Sequence, residues 1–151
     1  MKQVKTMAKT ISETAVTSKT KVLAVDAENI SPLYYNQIDF DNHSFQRINF
    51  PADYGIRLGC NYRRFLFCHR DENTLVFSMT LLTDLINGTS VKGFLYKESG
   101  YPKTTELDPD DDAIFFLVPK HLSLFEVGDE IIMEFDEGGL DRERRVICRK
   151  S

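Results

Sequence analysis

Cys68 and His69 stand side by side in YRRFLFCHR, and a thiol beside an imidazole is the pairing that makes a nucleophile and its base. The pair falls in a run that reads as a strand, where successive side chains point to opposite faces, so the two groups cannot meet. A buried thiol and a strand-end imidazole are expected instead. Asp108, Asp110 and Asp112 have the spacing that opens a calcium loop. The loop's sixth position is Ala113, where a glycine is needed, and its twelfth is Pro119, where a glutamate should stand. An acidic surface loop without metal is expected there. Cys60, Cys68 and Cys148 form no CxxC spacing and imply neither a disulfide framework nor a zinc site. Arg63 with Arg64, and Arg142 with Arg144 and Arg145, fall on hairpins and read as charged decoration of solvated strands. No glycine-rich loop precedes a helix, and no constellation offers nucleophile, base and oxyanion donor together. The expectation is a non-enzymatic protein without cofactors.

The elements that position these residues are strands. In His121–Arg149, Gly128-Asp129 supplies a turn and Ile131, Met133 and Phe135 alternate with Ile132 and Glu134 at a period of two. Asp136-Glu137-Gly138-Gly139 turns the chain, and the return run places Val146 and Cys148 on one face with Arg145 and Ile147 on the other. A lone hairpin is marginal in water, so the rest of the chain must close a sheet over its apolar face. Further strands are expected at Lys21–Val25, Gln46–Phe50, Tyr62–His69, Thr74–Leu82, Val91–Lys97 and Ala113–Val118. The last is a continuous apolar run of the kind buried on both faces. Arg57-Leu58-Gly59 and Arg70-Asp71-Glu72-Asn73 read as turns, and no stretch makes an amphipathic helix of useful length.

A pattern recurs. Strand, proline, short connection, glycine and hairpin run from INFP at Pro51 to Gly59 and onward, and again from FLVP at Pro119 to Gly128 and onward, with spacings of eight and nine residues. The fold class that suits it is all-β: a small antiparallel β-barrel of about six to seven strands, whose closure removes exposed edges. The barrel is expected over 22–151, with a flexible Lys/Ser/Thr-rich tail over 1–21.

The chain has 151 residues, 42% of them hydrophobic, with eleven Phe and six Tyr, enough for one core. Residues 1–70 carry ten Lys/Arg against six Asp/Glu, and residues 71–151 nine against seventeen. An acidic half does not suit wide binding to phosphates, so nucleic acid is not an expected partner. No run is long enough to span a membrane, and a cytoplasmic location is expected.

His43-Ser44-Phe45-Gln46-Arg47-Ile48-Asn49-Phe50, followed by Gly88-Thr89-Ser90-Val91-Lys92-Gly93, resembles PilZ domains, bacterial barrels that bind cyclic di-guanylate. Those carry RxxxR ahead of the first strand and [D/N]xSxxG further on. Arg47 sits at the second arginine and His43 replaces the first. Ser90 and Gly93 match, and Asn87 stands one residue before the position of the Asp or Asn. The resemblance implies a regulatory module acting through a protein partner, with a cyclic dinucleotide held by His43, Arg47, Asn87, Ser90 and Gly93. A histidine in place of the first arginine removes one bidentate clamp on phosphate. The second resemblance is to AbrB-like swapped-hairpin DNA-binding regulators, on Val118-Pro119 and Val127-Gly128-Asp129-Glu130. Two such halves in one chain imitate their dimer. A phage or structural assembly protein is the third class the pattern admits.

Overall fold

The computed structural model describes residues 17–25, 45–59, 65–86, 88–97 and 114–151. Cys60, Arg63, Arg64, the aspartates at 108, 110 and 112, and residues 1–16 of the expected tail lie outside them. So do His43 and Asn87 of the expected ligand site.

The chain runs β1 (Thr17–Lys21), β2 (Leu23–Ala24), β3 (Phe45–Phe50), helix α1 (Ala52–Leu58), β4 (Phe65–Asp71), β5 (Thr74–Ser78), β6 (Thr89–Lys97), β7 (Ile114–Pro119), β8 (Glu130–Asp136) and β9 (Arg145–Lys150). All pairings are antiparallel, in the order β1-β8-β9-β5-β4-β6-β7-β3-β2, a nearly closed barrel. Nine strands exceed the six to seven expected. Part of the excess is the segment read as tail: Thr17–Lys21 pairs along β8, from Thr17 opposite Glu134 to Lys21 opposite Glu130. Its sequence TSKTK turns only Ser18 and Thr20 inward, so hydrophobic periodicity has nothing to register there.

That segment closes the barrel. Val22, fully buried, separates β1 from β2. It donates its N–H to the Asp129 carbonyl at 2.9 Å and accepts from the Gly128 N–H at 2.8 Å, while Leu23 pairs with Arg47 on β3. The two ends of the strand order are therefore successive parts of one stretch of chain, and little sheet edge is left exposed. β6 makes the same switch on the other side: Phe94 and the residues before it pair along β4, and Leu95–Lys97 pair along β7. Strands that change sheets in this way form the corners of a folded-over sheet.

The recurrence in the sequence is realised as a pseudo-twofold in the pairing. Exchanging Leu75 with Val146 and Phe77 with Cys148 carries the pair Leu75–Cys148 into the pair Phe77–Val146, and both exist. Ile48 pairs with Phe116 on the axis, and Gln46–Val118 exchanges with Phe50–Ile114. The hairpins follow: Cys68 faces Phe77 as Met133 faces Cys148, and Leu66 faces Gly93 as Ile131 faces Thr20. Each half is a corner strand, a strand ending in proline, a turn, and a hairpin.

The core is the inward face of this ring, with Ile48, Leu66, Cys68, Phe77, Leu95, Phe116, Met133 and Val146 among its buried members. The expected register of the last hairpin holds, with Met133 opposite Cys148 and Phe135 opposite Val146. β7 is buried on both faces, as its unbroken apolar run implies. A second cluster, Tyr96, Phe115 and Leu117, lies on the outward face, where the Arg47 guanidinium sits 3.9 Å over the Phe115 ring.

The sequence reading missed helix α1. Ala52–Leu58 buries Ala52, Tyr54, Gly55 and Leu58, and ends at Gly59 in the left-handed region with φ 92°. Pro51 before it and Gly59 after it are the signals that mark its ends. Its seven residues are too few to show a helical period.

Candidate functional site

Two turns that are equivalent under the pseudo-twofold set the two ends of the barrel apart. After β3 the Tyr54 N–H donates to the Pro51 carbonyl at 2.9 Å, and after β7 the Leu122 N–H donates to the Pro119 carbonyl at 3.0 Å. Both connections end in a left-handed glycine, Gly59 at φ 92° and Gly128 at φ 96°. In the first half the turn continues as α1, which closes its end of the barrel. Tyr54 lies 5.6 Å from the Phe135 ring, and the Arg57 guanidinium lies 4.2 Å over it. Arg57 is in turn paired with Glu137 and with Asp53.

In the second half no helix follows, and the described residues leave that end of the barrel open. The position equivalent to Phe135 is Arg70, one step beyond Leu66 and Cys68 on the inward line of β4. Arg70 pairs in register with Thr89 on β6. With Glu72, His121 and Leu122 these two line a cleft of about 380 Å³, within the range of small-ligand sites. Glu72 occupies the tight turn between β4 and β5 at φ 52°, and no other described non-glycine residue has positive φ. Glycine is favoured at such a position, so a glutamate there costs about 1–3 kcal/mol of backbone strain. Sequence reasoning missed this cleft because it placed Arg70 in the turn. The repeat sets Leu122 level with Tyr54, each three residues past its proline, but only the strand register equates Arg70 with Phe135, because Arg70 lies eleven residues beyond Gly59 and Phe135 seven beyond Gly128.

The residues expected to hold a cyclic dinucleotide are distributed differently. Arg47, on the outward face of β3, donates from Nε to Asn49 Oδ1 at 2.8 Å. Ser90 is on the outward face of β6, paired with His69. β7 separates β3 from β6, so register does not bring Arg47 and Ser90 side by side. Gly93 lies on the inward line at the β6 corner, where a Cβ would stand 2.5 Å from Phe116 Cζ. Its lack of a side chain makes room for that ring.

Cys68 and His69 do face opposite ways. Cys68 is in the core, free, with its thiol pushed well up by burial. His69 is 1% exposed on the outward face, where its Nε2 is 2.9 Å from Ser78 Oγ. Ser78 Oγ donates to the Thr80 carbonyl at 2.5 Å, so the imidazole Nε2–H donates to Ser78, and the serine proton is committed to a carbonyl rather than offered to a base. Burial holds the imidazole below its ordinary value, and the Arg145 charge adds to this against the Thr80 carbonyl and Asp84. This is a neutral, structural histidine. Nδ1 has no partner and is buried.

Arg145 corrects the reading of the hairpin arginines as solvated decoration. It is 5% exposed, with its guanidinium 3.1 Å from Asp84 Oδ2 and its Nε bonded to the Glu143 carbonyl. The hydrogen bond from Arg145 holds the Asp84 carboxyl below the usual range. Together with the bond from the Ile86 N–H to Asp71 Oδ1, this pins the β5–β6 connection across the outside of β4, β5 and β9.

No protein family, curated protein or solved structure was found to match the chain. Among the described residues no helix is long and apolar enough to cross a membrane, and no cluster of His, Cys, Asp and Glu could hold a metal.

Proposed function

We propose that the protein is a non-enzymatic binding and regulatory module that takes a small ligand at the open end of its barrel and passes the bound state to a protein partner. The difference between the two barrel ends carries this reading. A pseudo-symmetric fold offers the same closure twice, yet an inward aromatic with a helical plug stands at one end, and an arginine beside an unfilled cleft at the other. Titrating the isotope-labelled protein with a mixture of small polar fragments tests it. The amides of Arg70, Glu72, Thr89 and Leu122 should shift while those of Tyr54 and Phe135 stay still; no response at the open end removes the reading. Cyclic di-guanylate, the ligand implied by the PilZ resemblance, belongs in the same series. Calorimetric heat that Arg47→Ala abolishes would move the site to the outward face of β3.

A second reading is favoured by the pseudo-twofold itself, because two strand-proline-hairpin halves in one chain are what the AbrB-like resemblance implies. It predicts retardation of duplex DNA at low salt that disappears at moderate salt. No retardation at low salt eliminates it.

A further inference from the structure

The chemistry of the open end narrows what it can hold. Of the arginines described, Arg57, Arg142, Arg144, Arg145 and Arg149 each face a carboxylate, and Arg47 is held by Asn49 and the Phe115 ring. Arg70 has no such partner among the described residues, although it lies on the inward line of its strand and lines the cleft. A guanidinium presents a planar fork of donors that matches two oxygens of a phosphate or carboxylate. Beside it the Thr89 hydroxyl comes from the paired position on β6, and a hydroxyl both donates and accepts. Glu72 lines the same cleft, and a carboxylate there repels an anion but accepts from a hydroxyl or amine. Glu72 reaches the rim of the cleft from the turn between β4 and β5.

Resting on the reading of this end as a ligand site, we propose that the cleft binds a small molecule with two unlike ends: an oxyanion, phosphate or carboxylate, held by Arg70 and Thr89, and a hydroxyl or amine directed to Glu72. A bare anion satisfies only the first requirement and a neutral polyol only the second. Leu122, buried beneath the cleft, supplies its apolar floor.

Ribose 5-phosphate, ribose and inorganic phosphate separate these requirements when titrated into the labelled full chain at equal concentrations. Ribose 5-phosphate should shift the Arg70, Thr89 and Leu122 amides at concentrations where ribose and phosphate alone do so weakly or not at all. Arg70→Gln should weaken it by at least about tenfold, the loss expected for a hydrogen-bonded charge pair, and Glu72→Gln by a smaller factor. Arg70 is exposed, so the variant should keep the wild-type spectrum elsewhere. No response to ribose 5-phosphate, or a response that Arg70→Gln leaves unchanged, overturns the proposed chemistry. If ribose or a neutral fragment shifts the same amides equally, the chemistry is again wrong but the open end remains a site. Silence of those amides toward every probe removes the site as well.

Discussion

The two ends of this barrel occupy equivalent positions in a pseudo-symmetric fold and differ in what stands at those positions. At one end Phe135 is covered by Tyr54 and stacked on by Arg57, so the inward position contributes packing. At the other end the equivalent Arg70 is exposed and lines a cleft. The fold requires that a ring of strands close, and it tolerates one unplugged end. On the proposed reading stability and binding fall to different halves of a symmetric plan, and substitutions at paired positions should have unequal effects.

The largest inequality is expected across that pair. Phe135→Ala removes a buried ring and should cost about 3–5 kcal/mol in chemical denaturation, whereas Arg70→Ala should stay within about 0.5 kcal/mol. Equal losses would mean that the two ends are not differentiated.

The corners offer the next contrast. Gly93 makes room for Phe116 in one half; in the other, Thr20 and Ile48 take those two places, a larger corner residue facing a smaller core residue. Gly93→Ala should cost about 1–3 kcal/mol by overpacking. Combining it with Phe116→Ile should recover part of that loss, so that the double variant falls short of the sum of the singles in denaturant. Strict additivity would show that the corner and the ring do not share space.

A third pair is His69 and Glu134, on the outward faces of the equivalent strands β4 and β8. His69 is held neutral and its affinity for a proton is lowered in the folded state. The unfolded chain then binds more protons as pH falls below the ordinary imidazole value of 6.5, so stability is full above that pH and declines beneath it. His69→Gln should flatten the decline, measured as denaturation midpoints between neutral and mildly acid pH. An unchanged slope would place the titration elsewhere. Glu134, 3.9 Å from Arg149 of the neighbouring β9 on a half-exposed face, should lose no more than about 0.5 kcal/mol on Glu134→Ala.

How much of this could be read from the sequence follows the same division. The β8–β9 hairpin and its register were legible because Ile131, Met133 and Phe135 recur at a period of two between glycine-bearing turns, with Glu130, Glu134 and Asp136 on the other face. β7 was legible because six apolar residues in a row leave no solvated face. The closing strand β1 was not, since its inward residues are Ser18 and Thr20 and its place is set by β8, more than a hundred residues away. Helix α1 hid between a proline and a glycine that also describe a turn. The repeat was visible in Pro51, Gly59, Pro119 and Gly128, but its consequence required exact register, because a shift of one residue on β4 would turn Arg70 outward and Cys68 out of the core. The cleft joins the β4–β5 turn to the β7–β8 connection, and no local pattern links them.

The claim that the open end is a site, and the plugged end its structural counterpart, is tested most directly by writing the plugged end's residue into the open one. Arg70→Phe should leave the denaturation midpoint unchanged or raise it, since the aromatic enters an inward position its equivalent already fills, and should abolish the amide shifts caused by ribose 5-phosphate. A midpoint that falls as far as that of Phe135→Ala, or shifts that persist in the variant, would contradict the account.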